Sequence, residues 1–124
     1  MKLIIKADRL IDANSLDPLI NSALVIENGK IVEIISQDKL KVIDTASFDI
    51  IDAGNSTIMP GFIEMHTHMH VNAENDAYKQ VTTESNDFLL MRAVKAVRET
   101  LTSGVTTMRD LGSKNEIAFP IKEA

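Results

Sequence analysis

The chain has 124 residues, of which 44% are hydrophobic and 25% charged, the composition of an ordinary globular protein. The formal net charge is −5 and no basic cluster stands out, which argues against nucleic acid and anionic membrane surfaces as partners. Cysteine is absent, so the sequence excludes disulfides and thiolate metal sites, and we expect a cytoplasmic location.

Residues 1–58 show the pattern of short β-strands. Apolar runs at 23–26 and 31–35 flank Asn28 and Gly29, which suit the two positive-φ positions of a type I′ turn and predict a β-hairpin. Further runs at 3–5 and 48–51 are separated from their neighbours by turn residues. This spacing predicts a small β-sandwich-like domain or an open barrel over residues 1–58.

The pattern changes at the Met-Pro-Gly sequence of residues 59–61. Residues 62–68 predict a strand, and the polar segment 71–84 predicts a long loop. Residues 105–110 are rich in β-branched side chains and predict a second strand. Beyond them Pro120 should stop or kink any further helix.

A helix is predicted between these two strands, from about Asp87 to the Ser-Gly at 103–104. Ser85 or Asn86 is a suitable N-cap. The helical period places four apolar residues on one stripe: Leu90, Val94, Val97 and Leu101. A strand, a helix and a strand in this order predict a βαβ unit with two parallel strands. One helix leaves apolar faces of such a unit open, so we expect either a homo-oligomer formed through residues 59–112 or partial disorder of that region.

All three histidines lie in the segment MPGFIEMHTHMH, residues 59–70. Side chains alternate along a strand, so His66 and His68 should point to the same side at the strand end. Neutral imidazoles in that arrangement suit a divalent metal such as zinc. The alternative is that they are surface or packing residues. We place His70 in the following loop, near a pocket. Glu64 is an acceptor for a ligand histidine, a residue buried in a partner contact, or a solvated carboxylate.

The same segment resembles the first-strand signature of the amidohydrolase superfamily, commonly Pro-Gly-x-Ile-Asp-x-His-x-His. Pro60, Gly61, Ile63, His66 and His68 match this signature, whereas Glu64 stands where the family usually has Asp. The stretch LTSGVTTMRDLGS, residues 101–113, resembles the second strand of the branch that holds imidazolonepropionase and the prolidase-like dipeptidases. The Asn-Gly hairpin region resembles the N-terminal β domain of these enzymes.

This resemblance implies an α/β protein with a (β/α)₈ barrel that begins at residue 59. His66 and His68 would be metal ligands for one or two divalent ions, most simply zinc, and the bound metal would activate water to attack an amide or cyclic amide C–N bond of a small-molecule substrate. The catalytic residues are unknown, because the family places them on later strands. Such a barrel takes about 250 residues. We therefore expect residues 59–124 to hold only its first two strands and first helix, as the N-terminal part of a longer enzyme that is inactive alone.

Two other hypotheses remain open. The chain is either a non-catalytic β module that self-associates or binds a missing C-terminal half, or a small metal-binding protein that uses all three histidines. The substrate is not indicated by the sequence. Tyr78 is either a pocket residue or an exposed loop residue. Arg109 and Asp110 either contact substrate or form a local ion pair or a cap for the next helix.

Overall fold

The chain folds into two compact units. The computed structural model describes residues 1–73 and 76–124, and these divide into Met1–Pro60 and Gly61–Ala124. No helix in this described part is both long and apolar enough to cross a membrane.

The first unit is built on one mixed β-sheet. Its elements are β1 (Lys2–Leu10), β2 (Leu19–Glu27), β3 (Lys30–Ser36), the short helix α1 (Gln37–Leu40), β4 (Asp49–Asp52) and β5 (Thr57–Ile58). The strand order is β3-β2-β1-β4, and β5 also pairs with β1. Strands β1, β2 and β3 pair antiparallel, whereas β4 and β5 run parallel to β1. The described residues of this unit therefore form a single five-stranded sheet and do not show the second layer of a sandwich.

The core of the first unit lies on one face of this sheet. Ile4, Ala23, Val25 and Ile35 are buried together, with Leu40 and Phe48 packed against them. The predicted hairpin between β2 and β3 is present, with Glu27 opposite Lys30. Its turn residues Asn28 and Gly29 both have positive φ, 51° and 75°, as a type I′ turn requires.

The second unit contains two parallel strands with helices between them. Its elements are β6 (Phe62–Thr67), α2 (Ala77–Thr83), α3 (Asn86–Thr102), β7 (Val105–Asp110), a 3₁₀ turn (Lys114–Glu116) and α4 (Ala118–Glu123). Strands β6 and β7 pair in parallel, with Thr67 opposite Asp110 at their ends. The backbone at Gly61, just before β6, lies close to Thr106 of β7. A Cβ built on Gly61 would lie 2.2 Å from the Thr106 side chain.

The helix α3 begins where the sequence predicts it, but it buries the predicted stripe only in part, with Leu90 packed against the core. The Ser85 hydroxyl accepts a hydrogen bond from the Phe88 N–H, which confirms the predicted cap. The buried residues are Leu89 and Ala93, which pack with Ile117. Val94 and Leu101 of the predicted stripe are instead half-exposed. The buried face follows the position of the segment after β7, which helical periodicity alone does not reveal.

Two other expectations for this unit were wrong in part. Residues 77–83 of the predicted loop form α2. The Asp76 carboxylate accepts from the Lys79 N–H as a cap, and Gln80 is the buried residue of this helix. Residues 74 and 75 of that loop lie outside the described residues. Pro120 does not stop α4, since it lies in the first turn, where its missing N–H would have no acceptor within the helix.

Candidate metal centre

The imidazoles of His66 and His68 lie side by side at the end of β6. Their ring centroids are 5.5 Å apart and their planes cross at 76°. Thr67 lies between them in sequence and is held by a neighbouring strand, because its hydroxyl donates to the Arg109 carbonyl oxygen over 3.1 Å. Alternation along the strand thus brings the two predicted ligands together.

A backbone carbonyl fixes the tautomer of His68. Its Nδ1 lies 2.9 Å from the Gly112 carbonyl oxygen. A carbonyl oxygen only accepts hydrogen bonds, so Nδ1 carries the proton and donates it. In the neutral ring the lone pair then remains on Nε2, the arrangement found in metal-ligating histidines whose second nitrogen is hydrogen-bonded.

Glu64 contacts the backbone of His66. Its Oε1 accepts a hydrogen bond from the His66 N–H over 2.9 Å. Glu64 is exposed to solvent, as one of the predicted alternatives has it, and the bond it accepts comes from a backbone amide and not from the ring of a ligand histidine. The carboxylate bonds within its own strand because that amide is only two residues away.

His70 is separated from the other two histidines by its environment. It lies in the segment after β6, as predicted, but only 4% of its surface is exposed. Its Nε2 accepts from the Lys114 N–H over 3.4 Å, while Nδ1 is buried without a hydrogen-bond partner among the described residues. Burial lowers the pKa of His70, and His68, Arg92 and Lys114 lower it further, against an opposing effect of the Asp110 carboxylate. The neutral ring therefore acts as a packing residue beside the strand end.

The sequence analysis missed a buried polar cluster that holds the segment after β6. The Arg92 guanidinium, on α3, donates to both carboxylate oxygens of Glu84, to Gln80 Oε1 and to the His70 carbonyl. The Glu84–Arg92 hydrogen bond lowers the pKa of Glu84. Gln80 Oε1 also accepts from the Asn72 N–H. This cluster joins α2, α3 and the residues that follow His68.

The carboxylate at the end of β7 has backbone partners. The Asp110 carboxylate accepts hydrogen bonds from the N–H groups of Met69 and Gly112. It does not cap the next helix, as one alternative predicted, because the residue at that N-cap position is Ser113. Within the described ranges 1–73 and 76–124, no group of three or more His, Asp, Glu or Cys side chains is positioned to hold a metal. In these ranges His66 and His68 are thus a pair of neighbouring imidazoles without a third such side chain positioned to complete a site.

The family of the chain follows from its match to a known family model. The model of the amidohydrolase family matches residues 57–124, which include both strands of the second unit. The chain belongs to the amidohydrolase family. Members of this family are generally metal-dependent, in agreement with the pair of imidazoles at the end of β6.

Among relatives of this amidohydrolase chain are imidazolonepropionase and prolidase-like proteins. An imidazolonepropionase of Clostridium tetani is 41% identical over 58 residues, which is 46% of this chain and 14% of that protein. The crystal structure of an amidohydrolase is 31% identical with a TM-score of 0.81, and the match covers 100% of this chain and 28% of that one. A Xaa-Pro dipeptidase with bound methionine in its active site is 25% identical with a TM-score of 0.80, covering 100% and 30%. The chain thus spans less than a third of the length of each.

A cleft of about 330 Å³ borders the candidate metal site of this amidohydrolase chain. His68, His70, Lys114 and the apolar side chains of Val71 and Val81 line it, together with Tyr78. Tyr78 belongs to α2, and 79% of its surface is exposed. Both alternatives for Tyr78 are therefore correct in part, because it is exposed and it also lines a cleft.

Proposed function

We propose that the chain supplies the first metal ligands of an amidohydrolase that cleaves an amide or cyclic amide C–N bond. The observation that carries the proposal is the His66–His68 pair, with the Nε2 lone pair of His68 left free by the Gly112 carbonyl. A divalent metal, most simply zinc, would supply a nucleophilic water at neutral pH when bound there.

The residues of the chain have separate tasks in this proposal. His66 and His68 bind the metal, and the Gly112 carbonyl holds the ring of His68 in one orientation. The cleft beside His68 offers mostly apolar walls to the part of the substrate that does not react. The names of the relatives support small cyclic or dipeptide-like amides as the substrate class.

Zinc titration of the purified chain tests the metal site. Two imidazoles supply fewer protein ligands than the three usual at a catalytic zinc, so we expect weak binding. His66→Ala and His68→Ala should each abolish it, whereas Lys95→Ala, on an exposed part of α3, should not. Calorimetry would contradict the proposal if zinc bound equally well to either histidine variant. Tight stoichiometric binding by the unaltered chain would show that a further ligand completes the site.

We further propose that residues 1–124 alone do not catalyse the reaction. Two observations support this. The ligand set in the described residues is incomplete, and the chain matches only 28% of the length of the related amidohydrolase structure. An assay with zinc across amide, cyclic amide and dipeptide substrates should give no turnover. Metal-dependent turnover that is lost in His68→Ala would overturn this expectation.

A second candidate function is a non-catalytic module that binds copies of itself. The observation that favours it is the exposure of apolar residues on β6, including Phe62, Ile63 and Met65. This candidate requires association without zinc and no effect of His68→Ala on it. Calorimetry with zinc separates this candidate from the metal-dependent function, because the module needs no zinc binding, whereas self-association is expected in either case.

A further inference from the structure

The carboxylate of Asp110 joins the two backbone segments that meet at His68. Its Oδ2 accepts from the Met69 N–H over 3.2 Å, and its Oδ1 accepts from the Gly112 N–H over 2.8 Å. Met69 directly follows His68 in the chain. Gly112 is the residue whose carbonyl accepts the hydrogen bond of the His68 ring.

These three hydrogen bonds form a closed connection around His68. One carboxylate oxygen holds the peptide that follows the histidine, and the other holds the residue that fixes its ring. A separate backbone bond, from the Leu111 N–H to the Thr67 carbonyl over 3.0 Å, pairs the strand ends without using the carboxylate. The strand ends and the Gly112 amide are therefore held by separate hydrogen bonds, and only the latter uses the Asp110 carboxylate.

We propose that Asp110 is a positioning residue for His68: its two carboxylate oxygens hold Met69 and Gly112 so that the Gly112 carbonyl keeps the proton of His68 on Nδ1 and leaves Nε2 free. The inference rests on the proposed role of His68 as a metal ligand. The carboxylate is suited to this task because it accepts at both oxygens and donates at neither when ionised.

Asp110→Asn tests the proposal with a nearly isosteric change. An amide offers one acceptor and places an N–H donor where the second oxygen was, so either Met69 or Gly112 loses its acceptor. Imidazole ¹⁵N NMR of the histidine-labelled 124-residue chain reports the tautomer of His68 directly, without metal or substrate. We expect the unaltered chain to show the Nδ1–H form and Asp110→Asn to shift towards the Nε2–H form. Zinc affinity should fall about tenfold, as for other partners of metal ligands.

Amide hydrogen exchange separates this role from a merely structural one. Leu111 should stay protected in Asp110→Asn, because its partner is the Thr67 carbonyl, while Met69 or Gly112 loses protection. Asp87→Asn, the same chemical change in the first turn of α3, should alter none of these signals.

Two outcomes would overturn the proposal: an unchanged His68 tautomer in Asp110→Asn, or a changed tautomer accompanied by loss of protection at Leu111. If instead the tautomer responds as expected but the unaltered chain binds no zinc, the metal site fails and the positioning role of Asp110 stands.

Discussion

Single hydrogen bonds decide which atoms near the end of β6 remain free to bind a ligand. The Gly112 carbonyl occupies Nδ1 of His68, and Glu64 occupies a backbone amide of the strand. The pairing of His66 with His68 was predictable, because alternation along a strand depends only on neighbours in sequence. The partners Gly112 and Asp110 were not, because they lie more than 40 residues away and reach His68 only when β6 and β7 pair.

At the same scale, Gly61 and Thr106 should depend on each other. Gly61→Ala places a methyl group against the Thr106 side chain and should destabilise the second unit by about 1–3 kcal/mol. Thr106→Gly removes the obstacle, so the double variant should lose less stability than the sum of the two changes. Denaturant unfolding measures both effects. In the control pair, Gly61→Ala with Thr107→Gly, the two losses of stability should add. If the losses for Gly61→Ala and Thr106→Gly also added, the prediction would be contradicted.

The Glu84–Arg92 pair predicts a pH dependence of stability. The pKa of Glu84 is lowered from its ordinary value of 4.5, chiefly by the hydrogen bond from Arg92. A carboxyl whose pKa is lower in the folded state stabilises the fold above pH 4.5, and this contribution disappears as the pH falls through its folded-state pKa. Glu84→Gln should therefore lower the Tm at pH 7, with a difference that narrows in acid.

Thermal unfolding followed by circular dichroism across this range tests the pH dependence. Glu99→Gln changes a carboxylate of an exposed pair with Lys95 and should have little effect at any pH. The Tm of Glu84→Gln should approach that of the unaltered chain below pH 4. If the Tm difference there were as large as at pH 7, the Glu84–Arg92 pair would not be its cause.

Whole elements differ in how far local sequence determines them. The β2–β3 hairpin depends on Asn28 and Gly29, whose conformational preferences act within the turn itself, and it was predicted correctly. The helix α2 was not, because its sequence lacks an apolar period. It is stabilised by a side-chain cap and by the burial of Gln80 against Arg92, a partner on the next helix. Helix α3 has predictable ends but a buried face that was predicted only in part, since that face depends on distant residues such as Ile117.

The hairpin turn should be sensitive to the residue at position 29. Gly29 has a φ of 75°, and Gly29→Val forces a β-branched residue into that region, which should cost about 1–3 kcal/mol. Asn28→Gly is the matched control, because glycine adopts the φ of 51° found there without strain. Denaturant unfolding followed at the amides of β2 and β3 measures the loss. Equal stability of Gly29→Val and the unaltered chain would argue against a type I′ turn.

The molecule as a whole leaves a substantial apolar surface uncovered in its second unit. All of β6 is exposed or half-buried, and an apolar cleft of about 440 Å³ lies between α3, β7 and α4. Burial of such surface is favourable by about 25 cal/mol per Å². The two-stranded sheet also has backbone groups that no third described strand pairs.

We therefore expect self-association at micromolar concentration, measurable by sedimentation. Phe119→Glu places a charge at the rim of the apolar cleft and should weaken association, whereas Leu16→Glu, at a fully exposed position of the first unit, should not. A compact monomer formed by the unaltered chain would refute the expectation.

The position of Tyr78 makes the intrinsic fluorescence of the protein a probe of one cleft. The chain has one tyrosine and no tryptophan, so its tyrosine fluorescence comes entirely from the rim of the cleft that His68 and His70 also line. We expect a ligand that enters this cleft to change the surroundings of the Tyr78 ring. A titration can therefore be followed in the unlabelled protein, and Tyr78→Phe provides the blank.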